Sequence, residues 1–203
     1  MPKPSHIITT DLKTNDIIVK KGETRIIAAV LTKGWKTPRE IKITLEEENA
    51  SAIFLAVIIG KNKENFPFKT VAVHNAPNTK ARFFIRSVMA DQSQVDYNGH
   101  IKIQSKAQLT DTYLSHHSLS LSKEAKIKTL PSMEVKANNV KAGHAATIGK
   151  PDPETLFYLK TRGLSEKDAK ELLIKSFLQS DLSNIPDEEV REKISDEITG
   201  KIN

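Results

Sequence analysis

Short apolar runs, each ended by turn-forming residues, fill residues 17 to 148 and constrain the fold more than any other feature of the chain. Several runs alternate between apolar and polar residues with a period of two, which is typical of half-buried β-strands. Glycine, asparagine and proline lie between the runs and favour tight or left-handed turns. The region is therefore expected to be mainly β, with almost no helix; the clearest runs are 26–31, 41–45, 53–59, 71–73, 83–85, 101–103 and 133–135.

Two architectures fit this pattern. A β-sandwich needs two-residue hairpin turns, and Asn98-Gly99 is the clearest such signal. A parallel β-helix needs short strands stacked in rungs, with asparagine and small residues at the corners. The chain has no repeat of fixed length, so the rungs of a β-helix would differ in length. The strand pattern alone leaves both architectures open.

The pattern changes after residue 150, which divides the chain into a β core (1–150) and a helical subdomain (151–203). Asp152 and Ser165 are suited to cap the first turns of two helices, and Pro186 is suited to open a third. Each helix carries apolar residues on one face, more than three short helices can bury on the end of a β domain. We expect part of this surface to contact a partner; the three stripes are Leu156/Phe157/Leu159, Leu172/Leu173/Phe177 and Val190/Ile194/Ile198.

The composition excludes several kinds of function. The chain has no cysteine, so it forms no disulfide and offers no thiolate to a substrate, a metal or an iron–sulfur cluster. It also lacks a glycine-rich phosphate loop, a Gly-x-Ser-x-Gly elbow and zinc-ligand spacings. Enzyme classes that depend on those motifs are unsupported, and we expect a non-catalytic protein.

The net charge of +6 is unevenly distributed. Residues 1–150 hold 23 Lys/Arg and 13 Asp/Glu, whereas residues 151–203 hold 8 and 12. A basic body is compatible with nucleic-acid binding, but the sparse aromatic residues and the lack of an arginine cluster argue against that function. The longest apolar run, 50–60, is too short to span a bilayer, and residues 1–6 contain no apolar signal core. We therefore expect a cytoplasmic protein without membrane insertion.

Histidines are the remaining candidates for chemistry. His116 and His117 are adjacent, and neighbours on a strand point to opposite faces, so a metal site that uses both is not favoured. His144 lies in a run of small residues, 141–149, which gives close access to its side chain. From the local sequence alone, a packed histidine at a corner is the favoured interpretation of His144.

Three segments carry a resemblance to a known family. Residues 119–141 contain Leu-Ser-Lys-Glu-Ala followed by Pro-Ser-Met-Glu-Val. They are similar to the Suf proteins SufB and SufD, in which a Leu-Ser-x-x-Ala segment precedes Pro-x-Leu-Glu-Ile. The similarity continues through 143–149 and 156–165 and spans roughly residues 70 to 180; the first 70 residues match only in strand character. Compared with typical members, the chain resembles a minimal version with a shorter β-helix and without the usual N-terminal helical region.

The resemblance implies a fold and a function. It implies a right-handed parallel β-helix followed by a small helical subdomain. It also implies a scaffold subunit of a complex that assembles iron–sulfur clusters, pairs with a SufB-like subunit and docks the ATPase SufC. The docking surface is then expected on the C-terminal helices, at Leu156, Phe157, Leu159, Leu172, Leu173 and Phe177.

The lack of cysteine makes the chain similar to SufD rather than to SufB. In SufD-like members the histidine of a His-x-Ala-Thr-x-Gly motif lies at the interface of cluster assembly, and His144 occupies that position. The resemblance reverses the reading from the local sequence and implies that His144 contributes to a transient cluster shared with a partner cysteine. A homodimeric structural β-helix and a basic nucleic-acid-binding protein stay as alternatives. The sequence leaves open whether a flavin takes part.

Overall fold

The structure of the protein is a computed structural model that describes residues 5–9, 12–13 and 15–202. Residues 1–4, on which the expectation of no signal segment partly rests, lie outside the described residues. The strands are β1 (Ser5–Thr9), β2 (Asn15–Val19), β3 (Thr24–Leu31), β4 (Arg39–Leu45), β5 (Ser51–Gly60), β6 (Asn65–His74), β7 (Lys80–Met89), β8 (Gln94–Ile103), β9 (Thr110–Ser120), β10 (Lys126–Val135) and β11 (Val140–Gly149). The helices are α1 (Pro153–Thr161), α2 (Glu166–Gln179) and α3 (Glu188–Ile202), with a 3₁₀ turn at Leu182–Asn184.

Consecutive strands lie in different sheets. One parallel sheet has the order β1-β3-β5-β7-β9-β11 (the odd sheet) and the other has the order β10-β8-β6-β4-β2 (the even sheet). Two successive strands therefore form one rung, and the rungs stack as a parallel β-helix, which confirms the architecture that the resemblance implies. The rungs differ in length, as expected: Asp16 and Lys42 on neighbouring strands are 26 residues apart, and Asp96 and Lys128 are 32 apart.

The interior between the two sheets, which we call the lumen, is filled by side chains stacked from rung to rung. Phe54 and Phe83 have ring centroids 5.5 Å apart, and Phe68 and Tyr97 have centroids 4.7 Å apart. All four side chains are almost fully buried. Burial of aromatic and branched side chains in this column is the main favourable term that holds the rungs together.

Asn98-Gly99 does not form a turn, so its interpretation as a hairpin signal was wrong. Both residues lie inside β8, in register with Leu130 and Pro131 of β10. A Cβ atom at Gly99 would lie 2.7 Å from Leu114 Cδ1 and 2.8 Å from the Tyr97 hydroxyl. The glycine is needed because Leu114 crosses the lumen against its backbone, not because the chain reverses there.

The helices begin where the sequence predicts them, and no regular helix occurs in residues 20–140. Asp152 caps α1, since its Oδ2 accepts a hydrogen bond of 2.9 Å from the Thr155 amide. Ser165 caps α2, and its Oγ accepts a bond of 3.1 Å from the Asp168 amide. Within the described chain, no helix has the length and apolar character needed to cross a membrane.

The helical subdomain packs on the outer face of the odd sheet and forms a second core there. Val190, Ile194 and Ile198 are at most 1% exposed and lie against apolar residues of β3, β5 and β7. One of the three stripes predicted from the sequence is therefore occupied within the chain. Leu178, Leu182 and Ile185 belong to the same core.

Candidate functional site

The last rung of the β-helix, formed by β10 and β11, is open. β10 is the edge strand of the even sheet and β11 is the edge strand of the odd sheet, at the same end of the molecule. Edge strands with apolar side chains readily pair with another chain. The exposed apolar side chains of this rung are Leu130 (57% exposed), Met133 (38%), Val135 (43%) and Ile148 (54%).

His144 lies in the middle of β11 and is exposed. Its register partner on β9 is Leu114, which belongs to the lumen core, and Ala142 two residues earlier also packs against that core. Because alternate residues of a strand share a face, His144 is on the lumen side of the open end. Ala142 and Ala146, which share its face of the strand, are small. The structure thus places His144 at an accessible position rather than in a packed corner.

A single imidazole is an incomplete metal site. Among the described residues, no group of three or more His, Asp or Glu side chains is placed to hold a metal ion. Neutral imidazole is a good ligand for iron, and the other ligands of an iron-containing group would then come from another molecule. The exposure of His144 at an open edge fits such a shared site.

The other two candidate histidines are separated, as the sequence predicts. His116 faces the lumen, and its Nε2 is 3.0 Å from Ser87 Oγ and 2.9 Å from Ser118 Oγ. Burial lowers the pKa of His116 to about 3, so its imidazole is neutral. His117 lies on the outer face, with its Nδ1 2.7 Å from Thr147 Oγ1.

The helical docking candidates fall into two groups. Phe157 and Leu172 are exposed, at 69% and 44%, and α1 has no buried residue at all. Leu156 and Leu159 are half-buried. Leu173 and Phe177 pack on the second core, so most of their apolar surface is already used within the chain.

The structure adds two features to the exposed surface of the helices. Tyr158 is 54% exposed beside Phe157, and the Arg162 guanidinium lies 5.1 Å from its ring centroid. Leu172 lines a shallow groove between α2 and α3, together with Ile202 and Lys175. The sequence signal for Tyr158 was its place beside Phe157 in the apolar part of α1.

Several lysines of the basic body are paired with carboxylates rather than grouped in a stripe. They form cross-strand ion pairs on the outer face of the even sheet, where each contributes little to stability. Paired lysines are poorly available to phosphates, so this face is a weak candidate for nucleic acid. The pairs are Lys42–Asp16 (3.0 Å), Lys69–Glu40 (3.1 Å), Lys128–Asp96 (3.1 Å) and Lys102–Glu134 (3.6 Å).

The fold and the site together define a class: parallel β-helix proteins with an open last rung and a helical C-terminal subdomain. Comparison with known families makes the assignment specific. The family described as SUF system FeS cluster assembly, SufBD core domain, matches residues 8–177. The chain belongs to this family.

The relatives have modest identity and are much longer. The iron–sulfur cluster assembly protein SufD of Escherichia coli (strain K12) is 26% identical over 180 residues, which are 89% of this chain and 43% of the relative. An iron–sulfur cluster assembly SufBD family protein of Synechocystis is 31% identical over 182 residues, 89% of this chain and 39% of the relative. SufD of Bacillus subtilis is 29% identical over 146 residues, 72% of this chain and 33% of the relative. The chain spans less than half the length of these relatives.

Proposed function

We propose that this chain is a non-catalytic scaffold subunit in iron–sulfur cluster assembly. In this proposal it pairs through its last rung with a cysteine-bearing SufB-like chain or with a second copy of itself, and it docks an ABC ATPase on its helices. Membership of the SufBD core family supports a role in iron–sulfur cluster assembly. The observation that carries the proposal is the open last rung, which carries the exposed His144 on β11 and exposed apolar side chains on both of its strands.

Pairing at the last rung would satisfy both the backbone and the side chains. The edges of β10 and β11 offer backbone groups to another strand, and their exposed apolar side chains would be removed from water. Ile148 is four residues from His144, about 13 Å along an extended strand. A partner that covers Ile148 would therefore bring its own side chains beside His144.

His144 would contribute one ligand or one proton to the cluster under construction. The cluster is cargo in this proposal, and it is released to another protein. The chain lacks cysteine, so thiolate ligands would come from a SufB-like partner, and the shared site would then have mixed histidine and cysteine ligands. A second copy of this chain would supply no thiolate. A cytoplasmic location stays a prediction, to be checked by cell fractionation.

The ATPase would dock on the exposed surface of α1 and on the adjacent part of α2. Phe157 and Leu172 offer the largest free apolar area among the docking residues expected from the sequence. Leu156 and Leu159 would extend this surface. Leu173 and Phe177 would support it from beneath, because they fix α2 to the second core.

The pairing is tested with two isoleucines that are equally exposed at opposite ends of the β-helix. Ile148 is 54% exposed on the last rung, and Ile18 is 55% exposed on β2. Ile148→Lys is expected to abolish the dimer or the complex with the paralogue in analytical ultracentrifugation, whereas Ile18→Lys leaves it intact. Equal assembly of both variants would overturn the last rung as the interface.

ATPase docking is tested with point variants, because removal of the helices would expose the second core. Phe157→Ala and Leu172→Ala are expected to weaken binding of the ATPase in isothermal titration calorimetry. Ile18→Ala removes a similarly exposed apolar side chain far from the helices and serves as the control. Unchanged affinity in both helix variants would rule out this docking surface.

A further inference from the structure

Three side chains form a ladder across the last strands of the odd sheet. Arg86 of β7 is the register partner of His117 on β9, and His117 is the register partner of Thr147 on β11. Phe84 and Val88, which flank Arg86 at alternate positions, pack in the second core beneath the helices. The ladder therefore lies on the outer face of the odd sheet, opposite to the face of His144.

The lower end of the ladder is fixed to the helical subdomain. Arg86 Nε donates a hydrogen bond of 2.6 Å to Asp181 Oδ2, and the two side chains are only 14% and 11% exposed. The Arg86 guanidinium also lies 4.9 Å from the ring centroid of Phe177 on α2. A buried, charge-assisted contact of this length holds both groups in one geometry.

The upper end of the ladder is fixed to the last strand. His117 Nδ1 and Thr147 Oγ1 are 2.7 Å apart, and Thr147 is three residues after His144 on the same strand. Burial and the neighbouring Arg86 lower the pKa of His117, while Asp181 raises it. The imidazole of His117 thus lies between the charged pair that anchors the helices and the hydroxyl that anchors β11.

We propose that His117 is a positioning residue that ties β11, the strand of His144, to the helical subdomain through the Arg86–Asp181 pair. A movement of the helices should then change the stability of β11, although His117 contacts neither a cluster nor a partner. Any effect of this coupling on cluster assembly rests on the proposed function above. The coupling itself is a property of the isolated chain and can be measured there.

The chain offers a matched control on the other sheet. His100 Nδ1 of β8 is 2.9 Å from Ser132 Oγ of β10, so it forms the same kind of cross-strand pair with the same rung. This pair lies on the even sheet, away from the second core formed with the helices. Loss of this pair should loosen β10 without involving the helices.

The test is amide hydrogen exchange of the full chain, read by mass spectrometry. Thr147→Val is expected to speed exchange of the β11 amides about fivefold, the factor for one hydrogen bond of average strength. Asp181→Asn, made far from β11, is expected to speed the same amides, and Thr147→Ser is expected to restore them. The double variant should show less than the product of the two effects, because both act through His117. Ser132→Ala should change exchange in β10 alone.

The coupling must be reciprocal: a change at β11 must also affect exchange around Asp181. This second measurement tests the proposal even if Asp181→Asn does not fold. Thr147 is exposed, so Thr147→Val keeps the fold and should also speed exchange around Asp181. If Thr147→Val leaves that segment unchanged, or if Asp181→Asn folds and leaves β11 unchanged, the role of His117 is overturned. A wild-type chain that shows the coupling but binds no ATPase would refute the proposed function and leave the coupling standing.

Discussion

Gly99→Ala probes how closely the lumen is packed beneath the last rung. Gly99 is buried in β8, and a Cβ atom there would lie 2.7 and 2.8 Å from the two δ-carbons of Leu114, and 2.8 Å from the Tyr97 hydroxyl. Carbon atoms in van der Waals contact are about 3.5–4.0 Å apart. The added methyl group therefore forces Leu114 or Tyr97 to move, and Tyr97 is held by a hydrogen bond of 2.6 Å to Thr70.

The expected cost is about 1–3 kcal/mol, the usual range when a methylene group is forced into a packed core. For a chain of this size, each kcal/mol lowers the melting temperature by roughly 2–4 °C. Leu114→Val removes the crowded δ-carbons, and it should cost about 1 kcal/mol alone but less, or nothing, in the Gly99→Ala background. That difference measures the clash directly.

Urea unfolding followed by circular dichroism gives the four free energies of this cycle. Gly200→Ala is the matched control: Gly200 lies in α3, nothing lies within 4 Å of its added Cβ, and alanine favours the helix. The control should raise stability or leave it unchanged. Additive effects of Gly99→Ala and Leu114→Val, or a neutral Gly99→Ala, would refute the packing argument.

Three further outcomes are expected. His144→Ala should change the free energy of unfolding by less than about 0.5 kcal/mol, because the side chain is exposed, while it reduces cluster formation by the assembled complex; an unfolded variant would show that His144 is structural. Burial holds the pKa of His116 at about 3, against 6.5 for an unperturbed histidine. The unfolded chain therefore binds more protons than the folded chain between these two pH values, and the free energy of unfolding falls as the pH drops through this window. Urea titrations from pH 7 to 4 should show a shallower fall for His116→Gln than for the wild-type chain. Arg86→Met should cost about 3 kcal/mol because it leaves Asp181 buried without its cation, and a second change, Asp181→Leu, should recover most of that loss; chemical denaturation of both variants tests this.

The apolar strands were predictable because their side chains follow the period of the sheet. β9 was not recognised, since Thr110–Ser120 is made largely of serine, threonine and histidine. Its lumen-facing His116 and Ser118 are hydrogen-bonded to each other and to Ser87 of β7. A polar strand of this kind has no apolar pattern, and only the three-dimensional partners show why it is buried.

The helices were predictable, but the direction of their apolar faces was not. Val190 and Phe157 both belong to apolar stripes in the sequence, yet Val190 is 1% exposed and Phe157 is 69% exposed. Spacing shows that a face needs a partner, not whether the partner is the chain's own sheet. The role that the resemblance implies for His144 stays a prediction. The surroundings of His117 could not be predicted, because they join β7, β11 and residue 181, which are far apart in the sequence.

The helices run across the rungs, and this changes how the β-helix is expected to unfold. In a stacked-repeat protein each rung contacts only its neighbours, so unfolding can begin at an end and proceed stepwise. Here α3 contacts β1, β3 and β5, and α2 contacts β7. The helices therefore hold these rungs together, and the rungs should unfold cooperatively. The last rung lies outside this group of rungs, because β9 separates β11 from β7, and it is expected to fray first. Order in that rung would then depend on protein concentration, because the surface that binds a partner is also the part that the partner keeps folded.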